Sequence, residues 1–381
     1  MNKNKIVIIF LTILITNSTF AQTAKFDSLI NVGINQIYSI KFSEAEKTFH
    51  DLQIKYPKHP AGKFFDAMIV WWKIMLDMDS EEYDDIFVEK LENVIDFCDS
   101  LIDENDKNID AIFFKGGSLG FRGRLYSIRK AWFDAALDGK EALPLVYEAY
   151  EIDPTNEDVK LGFGIYNYYA EAIPEKYPFI KPAMIFFPNG DKKKGIEQLN
   201  TAAQKAKYAA IESEFFLLTL YYQFEEDFDK ALLYAEELSK RFPDNPIFAK
   251  YYGRIFVKKN NYTRARQIFQ SIIDKNKKQY PGYNSKLLRE ASYYVAVDQM
   301  KKNELEAAKN NFKICEENSR IFDKDEEEES GFLINSLVYL ARINDQQGNF
   351  GEAIKIYKEL LTLRDYGGSH EKAKKALKNI K

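Results

Sequence analysis

The sequence predicts an all-α fold, a right-handed superhelical solenoid of about eight helix-turn-helix units, and three observations carry that expectation. The first is self-similarity: the stretches around Ala231 and Ala265 align, and these two alanines lie 34 residues apart. The second is the placement of sizes within the period. An aromatic precedes each alanine by nine residues (Tyr222, Phe256) and a bulky apolar residue follows it by seven (Leu238, Ile272). Such spacings put side chains on one helix face, with the alanine where two helices approach too closely for anything larger. The third is a proline at the end of several units, which cannot continue a helix and so separates one unit from the next.

The chain opens on MNKNKIVIIFLTILITNSTFAQ, with Lys3 and Lys5 before an apolar core from Ile6 to Ile15 and the small-residue step Thr19-Phe20-Ala21 before Gln22. That layout is expected of a secretory signal peptide cleaved after Ala21, the competing reading being an uncleaved anchor. The expected domains are therefore a signal peptide at 1–21, a solenoid at 22–366 with an insertion at 173–191, and a capping helix at 367–381. The product would be exported, periplasmic or secreted. No later segment approaches transmembrane length.

The first unit places Gly33 and Ala45 at the small positions, Phe49 in its second helix and Pro57 after it. A middle unit ends with Ala142, Ala149 and Pro154, the fifth closes at Pro243, and the last has Ala341, Ala353 and Tyr357 after a copy with Ala308 and Phe312. The second, third, fourth and seventh units are weaker, and the later ones are stretched, with alanine steps of 43 and 45 residues. Longer helices or loops account for this. The tail EKAKKALKNIK is charged, as the end of a solenoid must be. A 34-residue period with these sizes at these places resembles the tetratricopeptide repeat (TPR).

The segment Ile173 to Gly195 interrupts the pattern with four prolines, the apolar run Ala183 to Phe187 and a Gly-Asp step into three lysines. In the TPR register, 158–169 is the first helix of this unit and 192–205 the second, with Gly195 in the small position and Leu199 and Ala202 facing inward. Met184 to Phe187 are expected to pack back onto neighbouring helices as scaffold, while a partner-binding role or peripheral membrane contact stays open for this stretch. LGFGIYNYYAEAIPEKYPF and FFPNGDKKKGIEQLNTAAQKA also resemble the central part of the TPR family that includes the fungal inclusion-body clearance protein and its mammalian relatives. The signal peptide departs from that group.

Composition excludes several functions. The formal net charge of −4 falls to −6 once the two lysines of the signal are removed, which argues against binding nucleic acid. The three histidines, His50, His59 and His370, are scattered, and no metal-ligand spacing occurs. Cys98 and Cys315 lie 217 positions apart and read as small buried side chains. The glycines at 116, 117, 120 and 123 follow no strand, so close helix packing explains them better than a dinucleotide site. The acidic run Asp323 to Ser330 has no internal glycine and reads as a solvated loop or helix start. No catalytic constellation stands out, so neither an enzyme nor a cofactor is expected.

Two functional classes remain. One is an exported adaptor holding a protein or peptide in its concave groove, where the TPR resemblance implies Lys250, Arg254, Tyr293, Asn335, Arg342 and Asp345 as inward residues. The set that grips a C-terminal carboxylate in one TPR subset is not reproduced. The alternative is a carbohydrate or cell-envelope polymer binder using Arg122, Arg124, Tyr126 and Arg129, because arginine beside aromatics suits carboxylates and sugars. Export is checked by mass spectrometry of the protein from its native host: Gln22, free or cyclised, is expected at the N-terminus, and an intact Met1 contradicts cleavage.

Overall fold

The computed structural model describes residues 24–184 and 187–380, so the expected signal peptide, Ile185 and Phe186 lie outside the described residues. Every regular element among the described residues is helical. The chain divides into two compact units, Met1–Glu226 and Asp227–Lys381. In the N-terminal unit, α1 (24–38) is followed by α2 (Phe42–Lys55), α3 (Ala61–Leu76), α4 (Asp84–Glu104), α5 (Ile109–Ile128), α6 (Trp132–Ile152) and α7 (Val159–Lys176). The short α8 (Lys181–Met184), then α9 (Lys192–Lys205) and α10 (Ala210–Gln223), complete it. The C-terminal unit holds α11 (Phe228–Arg241), α12 (Pro246–Lys258), α13 (Tyr262–Lys277), α14 (Ser285–Lys301), α15 (Leu305–Phe322), α16 (Gly331–Gln346), α17 (Phe350–Leu360) and α18 (Ser369–Asn379). The two helices of the fifth repeat thus belong to different units.

Helix turns recur in register. Ile40, Lys130, Asn260, Asn303 and Gly348 each adopt a left-handed backbone within a repeat. The residue after each one donates its N–H to the carbonyl five positions back, as in Lys41 to Gln36, Asn261 to Phe256 and Asn349 to Asn344. This closes the first helix by satisfying a carbonyl its own ladder leaves open. Helix starts are equally regular: the side chains of Asn108, Asp191, Asp227, Asn261, Asn284 and Ser330 each cap a backbone N–H three residues on.

The weak repeats use the same positions with different residues. Ala45, Leu91, Gly195, Ala231, Ala265, Ala308 and Ala353 occupy the helix crossing, and seven residues later stand Leu52, Cys98, Ala202, Leu238, Ile272, Cys315 and Leu360, all in the core. Both cysteines therefore fill one repeat position. They are unpaired and buried, and burial pushes the Cys98 thiol up to about 12 and the Cys315 thiol up to about 11. Such thiols react slowly because so little thiolate forms.

The interrupted repeat is held at its second helix. A Cβ on Gly195 would stand 2.6 Å from the Tyr168 backbone nitrogen and 2.9 Å from the Gly164 carbonyl, so α7 and α9 touch backbone to backbone there. Gly190 is wedged against the Asn167 carbonyl in the same way. The Asp191 N–H donates to Asn167, its side chain caps Lys194, and the Lys192 N–H donates to Glu171. The Gly-Asp-Lys step is thus a clamp between α7 and α9. The first helix extends beyond the expected 158–169 to Lys176, with Pro174 inside its last turns. Phe179 in the connection is 71% exposed and Tyr177 44%.

Two measurements follow. Gly195→Ala is expected to lower the urea unfolding free energy by about 1–3 kcal/mol, because backbone atoms cannot yield to the added methyl. Gly120→Ala, where a Cβ meets nothing within 4 Å, is expected to raise it by up to about 1 kcal/mol through helix propensity. Native protein should also leave both thiols unlabelled by a disulfide reagent that reacts fully in denaturant.

Candidate functional site

In a stack of helix pairs the first helices line one face, and this is the face expected to bind. In the N-terminal unit it is filled from within by α10. Glu212 of α10 is 5% exposed, and it accepts hydrogen bonds from Tyr38 of α1 at 2.8 Å and from Arg124 of α5 at 2.8 Å. The Arg124 guanidinium lies between two rings, 4.8 Å from Trp71 of α3 and 4.4 Å from Phe216 of α10. Trp72 meets Phe215 at 5.7 Å and Tyr38 at 4.7 Å. Burial, with Glu212 beside it, pushes the Tyr38 phenol well above its ordinary range.

The approach to α10 is fixed as firmly. The buried Asp158 carboxylate accepts three consecutive backbone N–H groups, from Lys207, Tyr208 and Ala209. Tyr208 in turn donates to Asp27 of α1 at 2.8 Å, and Lys207 pairs with the same carboxylate at 2.6 Å. Every α3 residue from Ala61 to Met75 is buried except Lys63, Asp66 and Lys73. A helix covered on nearly every side has no face left for a ligand.

The three arginines of the Arg-aromatic cluster are engaged internally. Arg122 holds Asp138 through two hydrogen bonds of 2.9 and 2.7 Å. Arg124 holds Glu212, as above. Arg129 reaches Asp84 and the carbonyls of Met78 and Ser80. Tyr126 is half-buried, and burial raises its phenol. Of the neighbouring glycines, Gly116 and Gly123 serve close packing, since a Cβ would lie 3.2 Å from Leu145 and 3.2 Å from Asp138, whereas Gly120, expected to pack in the same way, faces open space.

The six inward candidates fall on α12, α14 and α16, successive first helices of the C-terminal unit. Arg254 forks onto the buried Glu290 of α14 at 2.5 and 2.6 Å. Lys250, half-buried, lies 5.9 Å from the Tyr251 ring. Tyr293 packs on Phe312 and on Phe332 of α16 at 5.9 and 5.3 Å, and burial pushes its phenol upward. On α16, Asn335 and Asp345 are half-buried and Arg342 is exposed, with its guanidinium 5.8 Å from the Tyr339 ring. The Arg254–Glu290 pair joins α12 to α14 and the Tyr293–Phe332 contact joins α14 to α16. This face carries cations of mixed character: Arg254 is committed to a buried partner, whereas Arg342 reaches solvent.

Residues 218–284 match the family model of the tetratricopeptide repeat. The match spans α11 to α13 and the second half of α10, where the size pattern is clearest. No curated protein matches the chain. Among solved structures, Pseudomonas aeruginosa pilF is similar at 15% identity and a TM-score of 0.44, over 69% of this chain and 97% of that one. The C-terminal part of a TPR repeat-containing protein from Cytophaga hutchinsonii is similar at 14% identity and 0.37, over 81% and 99%. Yeast Tom70 gives 14% and 0.37, over 99% and 97%.

The residue that sequence reasoning missed is Glu212. Its signal was the helix around it, ESEFFLLTLYY, the first helix of its pair and apolar on more sides than one partner can cover. Glu212→Ala removes the acceptor shared by the buried Tyr38 and the half-buried Arg124 and is expected to cost about 1–3 kcal/mol of unfolding free energy in urea titration. Arg254→Ala, which orphans Glu290, is expected to cost about 3 kcal/mol. Arg342→Ala should stay within about 0.5 kcal/mol of the parent.

Proposed function

We propose that the chain is an exported, non-enzymatic tetratricopeptide scaffold that binds a protein or peptide partner along the α12, α14 and α16 face of its C-terminal unit. The observation that carries this reading is the filling of the first-helix face of the N-terminal unit by α10, which leaves α3 buried on nearly every side. The corresponding face of the C-terminal unit carries polar side chains that reach solvent, Arg342 foremost. Helix-pair repeats bind by shape and by such side chains rather than by chemistry on the ligand. Among the described residues no helix is long and apolar enough to cross a membrane, and no cluster of three metal-capable side chains occurs. The polymer-binding alternative rested on the Arg122 to Arg129 cluster, whose guanidinium groups are held by internal carboxylates.

A pulldown from envelope extract tests the proposal. The parent should capture a discrete protein, and Arg342→Glu combined with Asn335→Glu should weaken capture roughly tenfold, a change of about 1.4 kcal/mol, with an unchanged melting temperature. Capture that survives both substitutions, or saturable binding on a glycan array with no protein captured, overturns it.

A further inference from the structure

The outer face of α6 exposes large apolar side chains, of which Tyr147 also meets Phe163 of α7 edge-to-face at 4.9 Å. Trp132 is 51% exposed, Phe133 75%, Leu137 49% and Tyr147 46%. Positions 133, 137, 140, 144 and 147 alternate steps of four and three, so they form one stripe along the helix. Lys140 is the one charged residue within it. The opposite face is fully used: Ala142 and Ala149 are buried, and Asp138 holds Arg122 of α5. Pro144 removes a backbone donor on the exposed side, where water can satisfy the carbonyl it leaves open.

Charge along the stripe is one-sided. Asp134, Glu141 and Glu148 lie seven residues apart, each directly after a stripe position, and all three are exposed. Glu141 also reaches Lys115 at 3.5 Å. The other edge carries Ala136, Leu143 and Tyr150. An apolar stripe with charges repeating every seven residues along one edge is the pattern with which one helix selects another, since edge charges set partner and orientation. An exposed apolar patch of this kind marks an interaction site. Carboxylates at the rim repel an anionic lipid surface, which a membrane-binding helix meets with lysine and arginine instead.

We propose that the outer face of α6 docks an amphipathic helix of a protein partner, one with an apolar stripe flanked by a basic edge. This surface lies in the N-terminal unit and does not depend on the reading of the C-terminal face.

The mature chain supplies its own reporter, because Trp71 and Trp72 are buried and Trp132 is the third of three tryptophans. Two synthetic 14-residue helical peptides with the same leucine stripe serve as probes, one with lysine along its edge and one with glutamate. The lysine-edged peptide should bind saturably and shift tryptophan emission to the blue, at least tenfold more tightly than the glutamate-edged one. Asp134→Lys with Glu148→Lys should reverse that preference. Phe133→Asp with Leu137→Asp should abolish binding of both, with the circular dichroism spectrum unchanged since these side chains are exposed. The proposal is overturned if the two peptides bind alike, if the charge reversal leaves the preference intact, or if the parent instead partitions onto phosphatidylglycerol vesicles through Phe133 and Leu137.

Discussion

A carboxylate cannot be removed from water alone, and Glu212 is removed almost completely. Its charge is tolerable only because Arg124 and Tyr38 both donate to it, and the half-buried Arg124 in turn lies against two aromatic rings that favour a cation. Those requirements fix three helices at once, since the donors stand on α1 and α5 and the acceptor on α10. Trp71, Trp72, Phe215 and Phe216 then close around the pair as an apolar wall. The filled face of the N-terminal unit is the consequence of satisfying this one group.

The rest of that unit is arranged to deliver α10 to this place. Asp158, at the start of α7, gathers the three N–H groups that precede α10, and Asp27 holds the side chains of Lys207 and Tyr208. The interrupted repeat contributes by keeping α7 and α9 in backbone contact at Gly164 and Gly195, while Gly190 and Asp191 fasten the return of the chain. The prolines between them replace a tight turn with a longer path, yet the helix crossing keeps the register of every other repeat. An insertion is tolerated because its two ends are anchored independently of its middle.

With one face filled, other surfaces of each unit stay open to solvent. On the C-terminal unit the first-helix face divides between internal cohesion, where Arg254 serves a buried glutamate, and solvent-reaching polarity at Arg342. On the N-terminal unit the outward side of α6 is left apolar with an acidic margin. These are different kinds of surface: the first suits polar, side-chain-specific contacts, and the second suits burial of a hydrophobic stripe guided by charge.

The sequence by itself determined the helix pairs, their register and the small residues at the crossings. Period and size are local properties that a helix of fixed pitch converts directly into faces. It also carried the two cysteines as core residues, though their shared repeat position was hidden by Leu91, which stands where an alanine was expected and shifts no spacing that periodicity could detect. Only the tertiary structure decided that Arg122, Arg124 and Arg129 are internal. Their partners are chosen in space: Arg124 meets a carboxylate 88 positions away, and Tyr38 meets the same one across 174 positions. No periodicity relates such positions, because the contacts join residues of different repeats, whereas period and size within one repeat fix only its own helix pair.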